Sequence, residues 1–166
     1  MKHFPYLLSW KGLTFCLALF LFAPNVHAQQ GPFAGLGGSW TGNGTITLGN
    51  GGRERLRCRA QYSVGNEGNQ LQQTLRCASD SYRFDLSSNV NSQGGQLSGF
   101  WSEASRGMSG MLFGTARPGN FQVVVTSPSF SANLNLTTQG DRQSVQISAP
   151  PGGQLTGVSI VLARAR

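Results

Sequence analysis

The sequence predicts an all-β protein, an up-and-down antiparallel β-barrel of about eight to ten strands with one disulfide. Three observations carry that reading. Apolar and polar residues alternate with period two in segment after segment, as strands with one buried face require. Gly, Asn, Asp and Pro interrupt the alternation about every 12 residues, a spacing that suits short hairpin turns. Cys58 and Cys77 sit symmetrically about Gly65-Asn66-Glu67-Gly68.

The N-terminal segment 1–28 has the layout of a secretory signal peptide. Lys2 and Lys11 supply the positive flank, Leu13 to Ala23 is apolar, Pro24 breaks the run, and Val26-His27-Ala28 sets small residues at the positions a peptidase reads. A membrane anchor needs about 20 apolar residues, more than this run offers. Cys16 follows bulky Phe15 inside the run, which argues against a lipoprotein. Cleavage after Ala28 is expected, with the mature chain in the periplasm or secreted. Residues 29–37 then form a flexible Gly-rich tail, and 38–166 a single barrel domain.

The first strand carries Trp40, Gly42, Gly44, Ile46 and Leu48 on one face and turns at Asn50-Gly51-Gly52. A hairpin closed at 65–68 sets Cys58 opposite Cys77. The same register pairs Ala60 with Leu75, Tyr62 with Gln73 and Val64 with Leu71, all on one face with Leu56. Arg53, Arg55, Arg57, Arg59 and Arg76 occupy the other face. Two alternating strands that agree on one register predict an antiparallel pair. Export makes a disulfide the default, contributing about 3 kcal/mol for a loop of this size. A redox role lacks the C-x-x-C spacing that lowers a thiol pKa.

The alternation continues through Tyr82–Val90, Leu97–Glu103, Gly110–Gly114, Phe121–Val125, Phe130–Leu136, Val145–Ile147 and Val158–Leu162. Every proline after the leader falls in the tail or a turn, as strand chemistry demands. Glycines within strands (Gly42, Gly44, Gly99, Gly110, Gly114) permit the coiling of a small barrel. Closure removes the exposed edges of such a meander; a two-sheet sandwich is the alternative. A membrane barrel puts its apolar residues outward. Here the bulky Trp, Tyr, Phe and Leu share the inward set, so a soluble barrel is expected.

Beyond Ala28 there is neither lysine nor histidine. That excludes a histidine metal site, a Ser-His-Asp triad, a Cys-His pair and a Schiff-base lysine. The six acids are scattered, with no evident pair for acid–base work. No enzyme, metal or cofactor is expected. Eleven arginines against these six acids leave a charge of +5 after residue 28. Positive charge attracts nucleic acid, but export argues against that partner, and arginine without lysine fits a GC-rich genome.

Gly38-Ser39-Trp40 at the first strand and Arg164 after the last resemble the lipocalin and avidin group of ligand-binding barrels. The resemblance implies that Trp40 plugs one barrel end and Arg164 packs across it. Arg57-Cys58-Arg59, Leu75-Arg76-Cys77-Ala78-Ser79-Asp80 and Trp101-Ser102-Glu103 also resemble uncharacterised small exported proteins of rhizobia and related bacteria. Small periplasmic protease inhibitors are similar too, in their G-x-W strand and disulfide. They imply an alternative in which Gln29–Gly37 plugs a protease.

The candidate ligand-binding residues are Tyr62, Tyr82, Phe84, Trp101 and Glu103. Trp101 and Glu103 share one strand face, and a carboxylate beside an aromatic suits a ring bearing a donor group. The competing reading buries Trp101 in the core and pairs Glu103 with Arg106 at the rim. Arg53, Arg55, Arg57 and Arg59 are candidates to contact an acidic envelope component, or else form a solvated strand face. The function expected is that of an exported barrel binding a small apolar ligand. The inhibitor reading and a structural envelope role are the alternatives.

Overall fold

The computed structural model describes residues 30–166; the leader and its cleavage site lie outside the described residues. Ten strands follow one another: β1 (Gly38–Leu48), β2 (Arg53–Gly65), β3 (Gln70–Ala78), β4 (Arg83–Gln93), β5 (Gln96–Glu103), β6 (Met108–Arg117), β7 (Asn120–Ser127), β8 (Phe130–Gln139), β9 (Arg142–Ser148) and β10 (Leu155–Arg164). Each pairs antiparallel with its chain neighbours, and β10 pairs with β1 from Trp40↔Arg164 to Leu48↔Leu155. The result is a closed up-and-down barrel, so the sandwich is not adopted. Full closure leaves no strand edge to template pairing with another chain.

The β2–β3 register is the one the cysteine spacing predicts, with Cys58↔Cys77, Ala60↔Leu75, Tyr62↔Gln73 and Val64↔Leu71. Asn66 and Glu67 take left-handed φ values of 49° and 53° to close this turn. The disulfide joins directly opposed residues, Cα atoms 4.1 Å apart. Both cysteines point into the barrel, so the bridge is part of the core rather than an external clamp.

Alternation places Ile46, Leu56, Leu75, Leu97, Leu112, Val158, Ile160 and Leu162 inside. Small residues let the wall bend. A Cβ on Gly42 would lie 1.9 Å from the Val161 carbonyl oxygen, and one on Gly110 would lie 1.8 Å from that of Thr126. At both positions the neighbouring strand occupies the space a side chain would need. The outer face is mostly polar, the reverse of a membrane barrel's pattern. Its departure lies on β5–β7, where Phe100 and Phe113 are 65% and 50% exposed. They stand opposite Met111 and Val124 respectively. No helix among the described residues is long and apolar enough to cross a membrane.

Candidate ligand-binding site

The two barrel ends differ, and the difference locates the site. At one end β1 begins and β10 finishes. Trp40 is fully buried there, and its indole N–H donates to the Leu36 carbonyl at 2.9 Å. The Arg164 guanidinium lies 4.3 Å from the Trp40 ring centroid. It also donates to the Gly35 and Gly37 carbonyls and pairs with Asp141 at 2.8 Å.

The preceding segment completes this seal. Phe33 and Leu36 are buried, and Phe33 stacks on Phe121 with centroids 5.6 Å apart. The amides of Gly31 and Phe33 donate to the Glu67 and Gly68 carbonyls. Residues 31–37 are therefore not the flexible tail expected from glycine content; two apolar side chains and a set of backbone bonds fix them to the barrel. Glycine content misled in part because Gly31 serves close approach: a Cβ there would fall 2.3 Å from the Gly68 carbonyl oxygen.

Tyr62 belongs to this sealed end. Its hydroxyl donates to Gln143 Oε1 at 2.6 Å, and its ring meets Trp40 edge-on at 6.3 Å. Burial raises the phenol pKa well above its ordinary value, opposed only partly by the Gln143 hydrogen bond. The structure thus separates Tyr62 from the other candidate ligand residues and gives it a packing role.

The opposite end is open. A cavity of about 830 Å³ enters the barrel there, its wall including Leu86, Trp101, Met108, Phe130, Leu134 and Ile147. The 150–154 segment of the β9–β10 connection lies at its mouth, and Cys77 contributes to its inner wall. Tyr82, Phe84, Trp101 and Glu103 all line it, four of the five expected residues. Trp101 holds its place by donating its indole N–H to the carbonyls of Met111 (3.1 Å) and Thr126 (3.2 Å). Its ring meets Phe130 edge-on at 6.1 Å.

Tyr82 and Phe84 pack together, centroids 4.8 Å apart, and the Arg106 guanidinium lies 3.8 Å over the Tyr82 ring. Burial raises the Tyr82 phenol pKa, Arg106 opposes the shift, and Glu103 adds to it. The turn that delivers Tyr82 is tied to β2. Glu54 accepts from Ser79 Oγ at 2.6 Å and from the Ser81 amide at 3.1 Å, and also receives the Ser81 hydroxyl. Hydrogen bonds from Ser79 and Ser81 lower its carboxyl pKa.

Glu103 is buried, yet its carboxylate does not await a ligand. Its oxygens accept the amides of Asp85 (2.8 Å), Ser105 (3.1 Å) and Arg106 (2.9 Å), and Arg106 Nη1 lies 3.6 Å away. Burial would raise the carboxyl pKa, but these hydrogen bonds outweigh it and hold the group below its ordinary value. An ionised oxygen pair already supplied with donors has little capacity left for a ligand donor. Glu103 instead fixes the β5–β6 turn, which corrects its expected ligand role. Arg106 is the cation among the cavity's polar lining groups, beside Ser129, Ser131 and Gln154, and is anchored by donating to the Arg83 carbonyl at 2.8 Å.

Met108, Phe130, Leu134 and Ile147 were not singled out from the sequence as cavity residues. Inward alternation places them inside the barrel, but gives no sign of which end stays unfilled.

No family model matches the chain, and no curated protein matches it. Among solved structures it is similar to Rv2717c from M. tuberculosis, with a TM-score of 0.64 and 15% identity over 80% of this chain and 94% of that one. It is also similar to the S-type phycobiliprotein lyase CPES from Guillardia theta, with a TM-score of 0.59 and 12% identity over 81% and 90%. At such identities the likeness is one of fold, that of lipocalin-like barrels.

Proposed function

We propose that the protein is an exported, soluble barrel that binds a small, largely apolar ligand in the open-end cavity without converting it. The cavity is the observation that carries this reading. Its volume of about 830 Å³ falls in the range of small-molecule sites, roughly 300–1,000 Å³. Its apolar wall favours burial of a hydrophobic body, and Arg106 at the rim favours a ligand with an acceptor or anionic group at its outer end. Glu103, held ionised and supplied with donors, is a poor general base, which supports binding over catalysis. An interior disulfide accords with export through a leader cleaved after Ala28. The arginine row of β2 supplies a second contact in this reading, toward an acidic component of the envelope.

Native mass spectrometry of protein recovered from the periplasm tests the proposal. A bound small molecule is expected, and it should be lost in Leu134→Trp, which fills the cavity, while circular dichroism stays that of the barrel. Wild-type protein recovered at its bare mass that also fails to take up apolar dyes would overturn the binding reading. Conversion of the bound molecule to a new product would overturn the non-catalytic one.

A further inference from the structure

The arginine row is one bank of a larger feature. The outer surface formed by β1–β4, β9 and β10 carries an open trough of about 1440 Å³, whose lining includes Arg57, Arg59, Arg76, Arg83 and Arg142. The register shows how it forms. One row crosses the wall as Arg142, Ala163, Thr41, Arg59 and Arg76, on β9, β10, β1, β2 and β3. The next crosses as Val161, Asn43, Arg57, Ala78 and Arg83. In the first row Ala163 and Thr41 lie between Arg142 and Arg59, and in the second Asn43 and Ala78 flank Arg57, so short side chains alternate with arginines across the trough.

Folding alone gives no reason for this arrangement. Arg59 stands directly opposite Arg76, and like charges so placed destabilise a sheet. Asp85 is the one acid in the lining, and it pairs with Arg76 at 3.2 Å. Among the described residues, Arg57, Arg59, Arg83 and Arg142 form no ion pair.

We infer that this trough binds an extended acidic polysaccharide, which rests on the proposal that the arginine row meets an acidic envelope component. Guanidinium groups take carboxylates in a two-pronged fork. Successive arginines on one strand face are about 6.8 Å apart, a spacing that repeated charges along a polymer can follow. Thr41, Asn43 and Gln61 line the same trough and offer hydrogen bonds to sugar hydroxyls. Single-stranded nucleic acid is disfavoured because it needs exposed rings for its bases. The aromatic residues of the lining, Trp40 and Phe84, point into the barrel. A membrane surface is disfavoured because Val161 is the one exposed large apolar side chain of the lining, too little apolar area to insert.

Calorimetric titration of the exported protein with polygalacturonate tests the inference, with neutral galactan, duplex DNA and anionic phospholipid vesicles as comparisons. Polygalacturonate should bind tightest, and its affinity should fall at least tenfold between 50 and 200 mM salt. The double substitution Arg57→Glu, Arg59→Glu should abolish binding while leaving the barrel's circular dichroism and the open-end cavity intact. DNA or vesicles binding as tightly as polygalacturonate would overturn the polysaccharide assignment and leave the acidic-partner proposal standing. Absence of salt-sensitive binding to all three anions would overturn both.

Discussion

Single residues decide what each end of the barrel does. Glu103 organises the open end through three backbone amides, and its lowered carboxyl pKa makes that contribution pH-dependent. A carboxyl whose folded pKa is depressed stabilises the fold above its unfolded value and loses that effect as pH falls through the folded value. Wild type should therefore exceed Glu103→Gln in unfolding free energy by about 1–3 kcal/mol at pH 7. The gap should close as pH drops below 4.5, the group's ordinary value. Denaturant melts of both proteins from pH 7 to pH 3 check this, and a constant gap would contradict it. At the sealed end, Arg164→Ala removes a cation–π contact and two backbone hydrogen bonds, with an expected cost of about 2 kcal/mol. Hydrogen exchange should quicken at the Gly31 and Phe33 amides and stay slow at Cys58 and Cys77.

At the scale of elements, the 31–37 segment behaves as an eleventh packing unit, although it forms no strand. Phe33→Ala should cost about 3 kcal/mol, the lower range for emptying a buried aromatic site, measured as a fall in the urea midpoint with an unchanged slope. Reduction of Cys58–Cys77 should cost about as much, through freedom restored to the unfolded chain. The β2–β3 hairpin was legible because two independent patterns, cysteine symmetry and alternation, agree on one register. The sealing segment was not. Its glycines look like those of a linker, and only the stacking of Phe33 on Phe121 and the bonds of Gly31 and Phe33 to the Glu67–Gly68 turn show that the segment is packed.

For the whole molecule, the meander and its closure were legible because every connection is a short turn, which leaves each strand its chain neighbour as partner. The cavity's position was not, because period-two alternation tells inside from outside but carries no information along the barrel axis. Tyr62 and Tyr82 both read as inward aromatics, yet they lie at opposite ends. The two indoles beyond the leader, Trp40 and Trp101, give a direct test of this polarity. An apolar ligand should change the emission of Trp101, which lines the cavity, and this response should survive Trp40→Phe. A response confined to Trp40 would place the ligand at the wrong end.

Because β10 pairs with β1 continuously from Trp40↔Arg164 to Thr47↔Gly157, with one register shift before Leu48↔Leu155, the ring is closed and has no intrinsic beginning. Gly38 and Arg164 come together at the sealed end, where Trp40 is the register partner of Arg164. A short linker joining the chain after Arg166 to a point before Gly31 would keep every strand pair. New termini then belong in the exposed 150–153 loop, where few backbone bonds are at stake. Such a circular permutant still has nine neighbouring pairings and one distant one, so its contact order, and with it the folding rate, should change little. It would turn β9 and β10 into the last and first strands of a barrel with the same walls. The cavity mouth would then carry the chain ends, giving a place to attach a reporter beside whatever enters.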